Sequence, residues 1–292
     1  MVYSINKGSI IMLVITGSTG QLGQDVIKDL VKYRSPKEII ALTRSKDKAQ
    51  NYIEQGIEVR EFDFSNKESI VEGFKGADEL LLISSNAVGN EVDHHRNAIE
   101  AAKETGIQHI YYTSHTGSKA KSHFSAMEVH YATEQLLEES GIPFTSIRNG
   151  FYAESGSQFF FEGIHDGVLY VPENAPVNWT THEDLAEGMV QILIADDFTE
   201  KYPNLTTHQL VSLKEAAEQY KGADITYQEI PDQKYVDILT ENHVPESIAT
   251  FLVGIFAASR DNEFTTIDNT LEQLIGRKPK TLIDVVNENS EK

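Results

Sequence analysis

A chain of 292 residues with 40% hydrophobic and 24% charged side chains can bury a large core, which excludes wholesale disorder. Its net charge of -20 argues against the nucleic-acid backbone as a partner, because that binding needs clustered Lys and Arg. The absence of cysteine excludes disulfide scaffolding, thiolate chemistry and cysteine-ligated metal.

No apolar run approaches the roughly 20 residues that cross a bilayer, so no membrane span is expected. The leader Met1–Gly8 lacks the apolar core of a signal peptide, which points to a cytoplasmic location with Met12 as an alternative start.

The first predicted strand is the continuous apolar run Ile10–Ile15, as expected of a parallel strand covered on both faces. It runs into Gly17-x-x-Gly20-x-x-Gly23. Leu22, Val26, Ile27, Leu30 and Val31 then recur at helical spacing. A strand, a glycine-rich turn and a helix start form the βαβ device that holds pyrophosphate: Gly17 for the turn, Gly20 for backbone approach, Gly23 for close packing of helix on strand.

Glu38–Arg44 reads as a second strand whose end lies about 20 residues past the last of these glycines, where the chain selects its dinucleotide. An acid there would bind a ribose 2′-OH, whereas Arg44, backed by Ser45, Lys46 and Lys48, suits the 2′-phosphate of NADP. The plainer reading is a solvated basic loop. Ile57–Asp63 alternates as a third strand, with Asp63 placed to meet an adenine edge. Ser65 and Glu68 read as a capping box opening a helix through Phe74.

Leu80–Ser85 is a fourth, buried strand whose small polar end, Ser84 and Ser85, falls under a nicotinamide ribose. A helix over Asp93–Thr105 stops at Gly106, and its adjacent His94 and His95 read as surface residues without further metal ligands. His109–Ser114 is the fifth strand, bringing Thr113 and Ser114 to the same carboxyl edge as Gly17 and Ser84. A helix over Ser125–Ser140 and a sixth strand, Phe144–Asn149, complete a doubly wound half.

Beyond it the aromatic residues Phe151, Tyr152, Phe159, Phe160 and Phe161 read either as core or as the wall of a flat apolar pocket, with Phe151, Tyr152 and Phe159 as substrate residues. Trp179 lies in a short strand, and Thr181 caps a helix opened by His182 and Glu183. Predicted strands over Thr207–Val211 and Ile225–Ile230 alternate with helices over Leu213–Tyr220, Gln233–Asn242, Glu246–Ser259 and Thr270–Ile275. The tail after Val286 is expected to fray.

The stretches Ile15–Gly23, Ala41–Arg44, Leu82–Ser84, Tyr112–Ser114, His130–Glu134 and Ile147–Tyr152 together resemble the NmrA-like atypical short-chain dehydrogenase/reductases, closest in motif to NADPH-dependent quinone reductases and triphenylmethane reductases. The resemblance implies an α/β fold with a Rossmann-like doubly wound parallel sheet over residues 9–152. A smaller carboxyl-terminal α/β lobe over 153–286 would bind substrate, with part of it returning to the sheet. It implies NADPH held by Gly17, Thr19, Gly20, Gln21, Leu22, Gly23, Arg44, Asp63, Ser84, Ser85, Thr113, Ser114, Asn149, Gly150 and Phe151. Some relatives of this kind reduce quinones or dyes and others only sense NADP(H).

Ordinary short-chain dehydrogenases carry Tyr-x-x-x-Lys on the helix after the fifth strand, where Lys readies Tyr to protonate an alkoxide. Here Tyr131 is followed by Gln135. His130 stands where isoflavone-reductase-like relatives have Lys and quinone-reducing ones have His, making it the candidate catalytic residue. A quinone takes hydride into a delocalised anion that water can protonate, so loss of the Tyr-Lys pair favours a small aromatic or quinonoid substrate. The alternative is a non-catalytic NADP(H)-sensing regulator acting through a protein partner. A monomer and a homodimer both fit the sequence, and no metal is called for.

Overall fold

The computed structural model describes residues 11–85 and 89–290, so the leader and Ile10 lie outside the described part. The chain forms two compact units. The first comprises the residues up to Ser114 together with Val129–Arg148 and Leu185–Pro203; the second comprises His115–Glu128, Asn149–Asp184 and everything from Asn204.

In the first unit, strands and helices alternate: β1 (Leu13–Ile15), α1 (Gln21–Leu30), β2 (Ile39–Thr43), α2 (Gln50–Glu54), β3 (Glu58–Glu61), α3 (Lys67–Phe74), β4 (Glu79–Leu82), α4 (Glu91–Thr105), β5 (His109–His115), α5 (Ser125–Ser140) and β6 (Phe144–Asn149). The strand order is β6-β5-β4-β1-β2-β3. Val14 pairs in parallel with Ile40 on one side and Leu80 on the other. The order therefore reverses at β1, the place where open α/β sheets bind ligands beyond the strand ends.

One face of the sheet presents Val14, Ile40, Leu42, Leu80, Leu82, Ile110 and Tyr112, which are packed with Ile70, Phe74, Ala98 and Ala102 from α3 and α4. Leu22, Val26, Ile27 and Leu30 form the buried stripe of α1. Such continuously apolar strands are what a sheet covered by helices requires.

Helix α3 starts one residue later than the capping box suggested. Asn66 is the cap, accepting from the Ser69 N–H at 2.9 Å, because the Ser65 hydroxyl and amide are taken by Asp63. Helix α4 stops at Gly106, whose φ of +82° a side chain would strain. The segment Leu185–Pro203 returns to this unit. Its Lys201 and Pro203 carbonyls accept from Ser146 and Arg148 N–H at 2.8 Å, satisfying the outer edge of β6.

The second unit holds a three-stranded sheet in the order Thr226–Ile230, Val168–Pro172, Ile164–His165, and a parallel pair of Trp179–Thr180 with Phe151–Tyr152. Helices Ala153–Glu162, Leu213–Glu218, Asp232–Glu241, Glu246–Arg260, Thr270–Ile275 and Leu282–Ser290 surround them. The expected strand over Thr207–Val211 does not form. Thr207 Oγ1 donates to the Gln209 carbonyl at 2.7 Å, a local turn that competes with extension, and Val211 makes only an isolated bridge to Val177.

The tail is also more ordered than expected. It is helical to Ser290, with Asn289 Nδ2 donating to Ser157 Oγ at 3.0 Å and Asn287 Oδ1 accepting from the Lys221 N–H at 2.8 Å. No helix among the described residues is long and apolar enough to cross a membrane.

Candidate functional site

Between β1 and α1, Gly17 has φ +59°, and the Gly20 N–H donates to its carbonyl at 3.0 Å, closing the turn. A Cβ on Gly23 would stand 2.3 Å from the Gly17 oxygen, so only glycine lets the helix come this close. Because the turn uses the Gly20 amide, the donors at the start of α1 are those of Gln21, Leu22 and Gly23, which precede any i−4 carbonyl. No side chain caps this helix start, and no acid lies in its first turn. That leaves a concentration of N–H groups and positive dipole suited to a phosphate. The Leu22 side chain is in the core, so only its backbone is available.

Groups absent from the sequence prediction hold this turn. Thr16 Oγ1 donates to the Ile83 carbonyl at 3.2 Å and accepts from the Ile83 N–H at 2.9 Å, tying β1 to the exit of β4. Ser18 Oγ donates to the Leu42 carbonyl at 2.7 Å, and Tyr52 Oη donates to the Ser18 carbonyl at 2.7 Å.

At the end of β2, Thr43 Oγ1 lies 3.5 Å from Thr19 Oγ1, and Arg44 is exposed. Asp63, after β3, is exposed too, but Ser65 N–H and Oγ donate to its Oδ1 at 2.9 and 2.8 Å. Those bonds hold its carboxyl below the usual range, with Arg44 adding a smaller pull. The aspartate thus shapes its own turn, which occupies part of the acceptor capacity assigned to adenine.

At the exits of β4 and β5 the hydroxyls turn inward. The Ser84 N–H donates to Thr113 Oγ1 at 2.8 Å. Ser114, 3% exposed, donates to Glu134 Oε1 at 2.8 Å. Glu134 also accepts from Ser146 Oγ and bidentately from Arg148 Nε and Nη2 at 2.8–2.9 Å, and these donors outweigh burial to keep it ionised.

The reading of both adjacent histidines as surface residues fails for His95, which is fully buried; His94 is half-buried with Nδ1 3.0 Å from Ser85 Oγ. An α4 face that meets the β4 exit encloses them, a tertiary fact that adjacency in sequence does not reveal.

His130, on α5, has Nδ1 2.9 Å from the hydroxyl of the buried Tyr112. Burial pulls its pKa down to about 4, partly opposed by Glu134. The imidazole is consequently neutral at pH 7 and a poor source of protons.

In the second unit, Gly150 fits where a Cβ would meet Thr180 Oγ1 at 2.3 Å. Phe151 and Phe159 are core residues: Phe151 packs edge-on against Trp179, His115 and Phe264, and Phe159 against Phe256. Tyr152 is half-buried, its ring 4.1 Å from that of His182, which pairs with Glu154 at 2.9 Å. Burial pushes the Tyr152 phenol up to about 12, tempered by the Asn149 amide. Asn149 is 2% exposed, and neither of its amide atoms reaches a well-formed hydrogen bond, an unmet capacity that a polar ligand atom would fill. His123, Asp261 and Glu263 form a group of metal-ligand type, closed by the His123–Asp261 pair at 2.8 Å and by Lys119 3.5 Å from Glu263.

Residues 10–288 match the model of the NmrA-like family. The chain belongs to the NmrA-like family. Quinone oxidoreductase 2 of Escherichia coli K12 is 31% identical over 280 residues, covering 94% of this chain and 98% of that protein. The structure of an NADPH-dependent quinone oxidoreductase from Escherichia coli complexed with NADPH superimposes with TM-score 0.89 at 30% identity, over 95% of this chain and 99% of that one. The Citrobacter sp. triphenylmethane reductase complexed with NADP(H) gives TM-score 0.88 at 28% identity, over 95% and 99%. The first unit of this NmrA-like chain has the parallel, doubly wound sheet that the sequence led one to expect.

Proposed function

We propose that this chain is an NADPH-dependent reductase that passes hydride to quinones or similar flat conjugated acceptors. The observation carrying the reading is the uncapped start of α1 behind Gly17, Gly20 and Gly23, beside the end of β2 where Arg44 is exposed. The N–H groups of Gln21, Leu22 and Gly23 fit a pyrophosphate, and the Arg44 guanidinium fits a 2′-phosphate. Whole-length likeness to a quinone oxidoreductase and a triphenylmethane reductase supports the same class of acceptor.

When bound, NADPH supplies the hydride. The chain's own part is to bind and orient, since His130, beside the Tyr112 hydroxyl, is not in its acidic imidazolium form at pH 7. A reduced quinone spreads its charge over two oxygens and the ring, which lets solvent complete the reaction. Following NADPH absorbance with a panel of quinones and triarylmethane dyes tests the proposal. Turnover is expected with several members; tight NADPH binding with no acceptor consumed would replace it with an NADP(H)-sensing role.

A further inference from the structure

We propose that His95 is a positioning residue of the dinucleotide site, whose unprotonated Nε2 fixes the Ser84–Ser85 exit of β4; the inference rests on the reading of that exit as part of the NADPH cradle. Three bonds define the arrangement. The Ser85 N–H donates to His95 Nε2 at 2.9 Å, which makes Nε2 an acceptor and leaves the ring proton on Nδ1. His95 Nδ1 then donates to Thr133 Oγ1 at 2.8 Å, and the Thr133 hydroxyl donates to the Val129 carbonyl at 2.8 Å. Every donor in the relay has an acceptor, and only one tautomer satisfies it.

The surroundings keep the ring neutral. Tyr112 from β5 and Phe64 after β3 meet it edge-on at 5.4 and 6.4 Å, and His130 and Thr133 approach from α5. Burial is the main cause, carrying its pKa down to about 3, and the neighbouring His130 and His94 oppose protonation further. A protonated ring would turn a donor toward the Ser85 N–H and break the arrangement.

The consequence lies at the strand exit. The two successive amides of Ser84 and Ser85 are held by Thr113 Oγ1 and His95 Nε2, so this exit needs no ligand to satisfy its N–H groups. It is set before the dinucleotide arrives, and binding does not have to order it.

Two substitutions separate positioning from packing. His95→Gln can place an acceptor where Nε2 stands, and His95→Asn can place a donor near Thr133 while abandoning Ser85. NADPH affinity, read by cofactor fluorescence, is expected to fall about tenfold in His95→Asn, the weight of one buried hydrogen bond, and to stay within about threefold in His95→Gln. The melting temperatures of the two variants are expected to agree. Native affinity in both, or equal losses in both that follow their melting temperatures, would overturn the inference while leaving NADPH binding by the native chain in place. A native chain that binds no NADPH would instead overturn the cofactor reading, and this inference with it.

Discussion

The Ser114 hydroxyl is committed to Glu134, 2.8 Å away, in a site where both side chains are buried. A serine at the carboxyl end of a Rossmann strand invites assignment to the cofactor, but this one serves a carboxylate that also gathers Ser146 and Arg148. Ser114→Ala is therefore expected to cost about 1 kcal/mol of stability in urea denaturation and to change NADPH affinity less than about twofold. Glu134→Ala, which strands the half-buried Arg148 and two hydroxyls, is expected to cost about 2–4 kcal/mol. A tenfold loss of NADPH affinity in Ser114→Ala, with stability unchanged, would return the serine to the cofactor.

On the proposed reading, Arg44 selects the dinucleotide. Arg44→Ala should weaken NADPH binding by about 1.5–3 kcal/mol, the range for a hydrogen bond to a charged group, and leave NADH binding nearly as it was. Isothermal titration with both cofactors reads this directly, and equal losses for the two would remove Arg44 from phosphate recognition.

His130→Ala should slow quinone reduction less than tenfold, below about 1.4 kcal/mol of barrier. The reason is its depressed pKa, about 4, which leaves the acidic imidazolium form unpopulated at neutral pH. General acid catalysis is typically worth about 10²–10⁴-fold, so a drop of a hundredfold, with NADPH affinity intact, would make His130 the acid after all.

Acid stability should bear the mark of His95 and His130. His95 and His130 have folded pKa values of about 3 and about 4, both below the ordinary 6.5. The unfolded chain therefore binds more protons between those values, and stability must fall as pH drops from about 6.5 toward 4. Glu134, held low by its donors, adds its loss only below its ordinary 4.5. Urea midpoints measured from pH 8 to pH 4.5 should decline already near pH 6, and a flat profile down to pH 5 would show that neither histidine has the depressed pKa described.

Much of the first unit was legible because it is written in local chemistry. The strand–glycine–helix run at Gly17–Gly23, the helix over Ser125–Ser140 and the stop at Gly106 need only neighbouring residues to be recognised. His95 was misread for the opposite reason: its burial depends on the exit of β4 and on Thr133, 38 positions away in sequence. Ser65 lost its cap to Asn66 because Asp63 competed for the same hydroxyl. In the second unit, Phe159 and Phe160 read equally well as pocket wall or core, and the helix Ala153–Glu162 that buries them was hidden by its run of aromatic residues. The strand expected at Thr207 gave way to a hydroxyl–carbonyl turn that a propensity cannot weigh.

The chain passes from one unit to the other after residues 114, 128, 148, 184 and 203, so neither unit is a contiguous stretch of the gene. A ribosome delivers the first unit in instalments. The last of them brings Leu185, Ala186, Met189, Val190 and Leu193, all buried in the finished protein. Until that instalment emerges, the first unit lacks these buried apolar side chains, and an incompletely packed chain is prone to aggregate. Fragments cut at residue 152 inherit that state permanently, and they should be recovered as aggregates rather than as a separable nucleotide-binding piece.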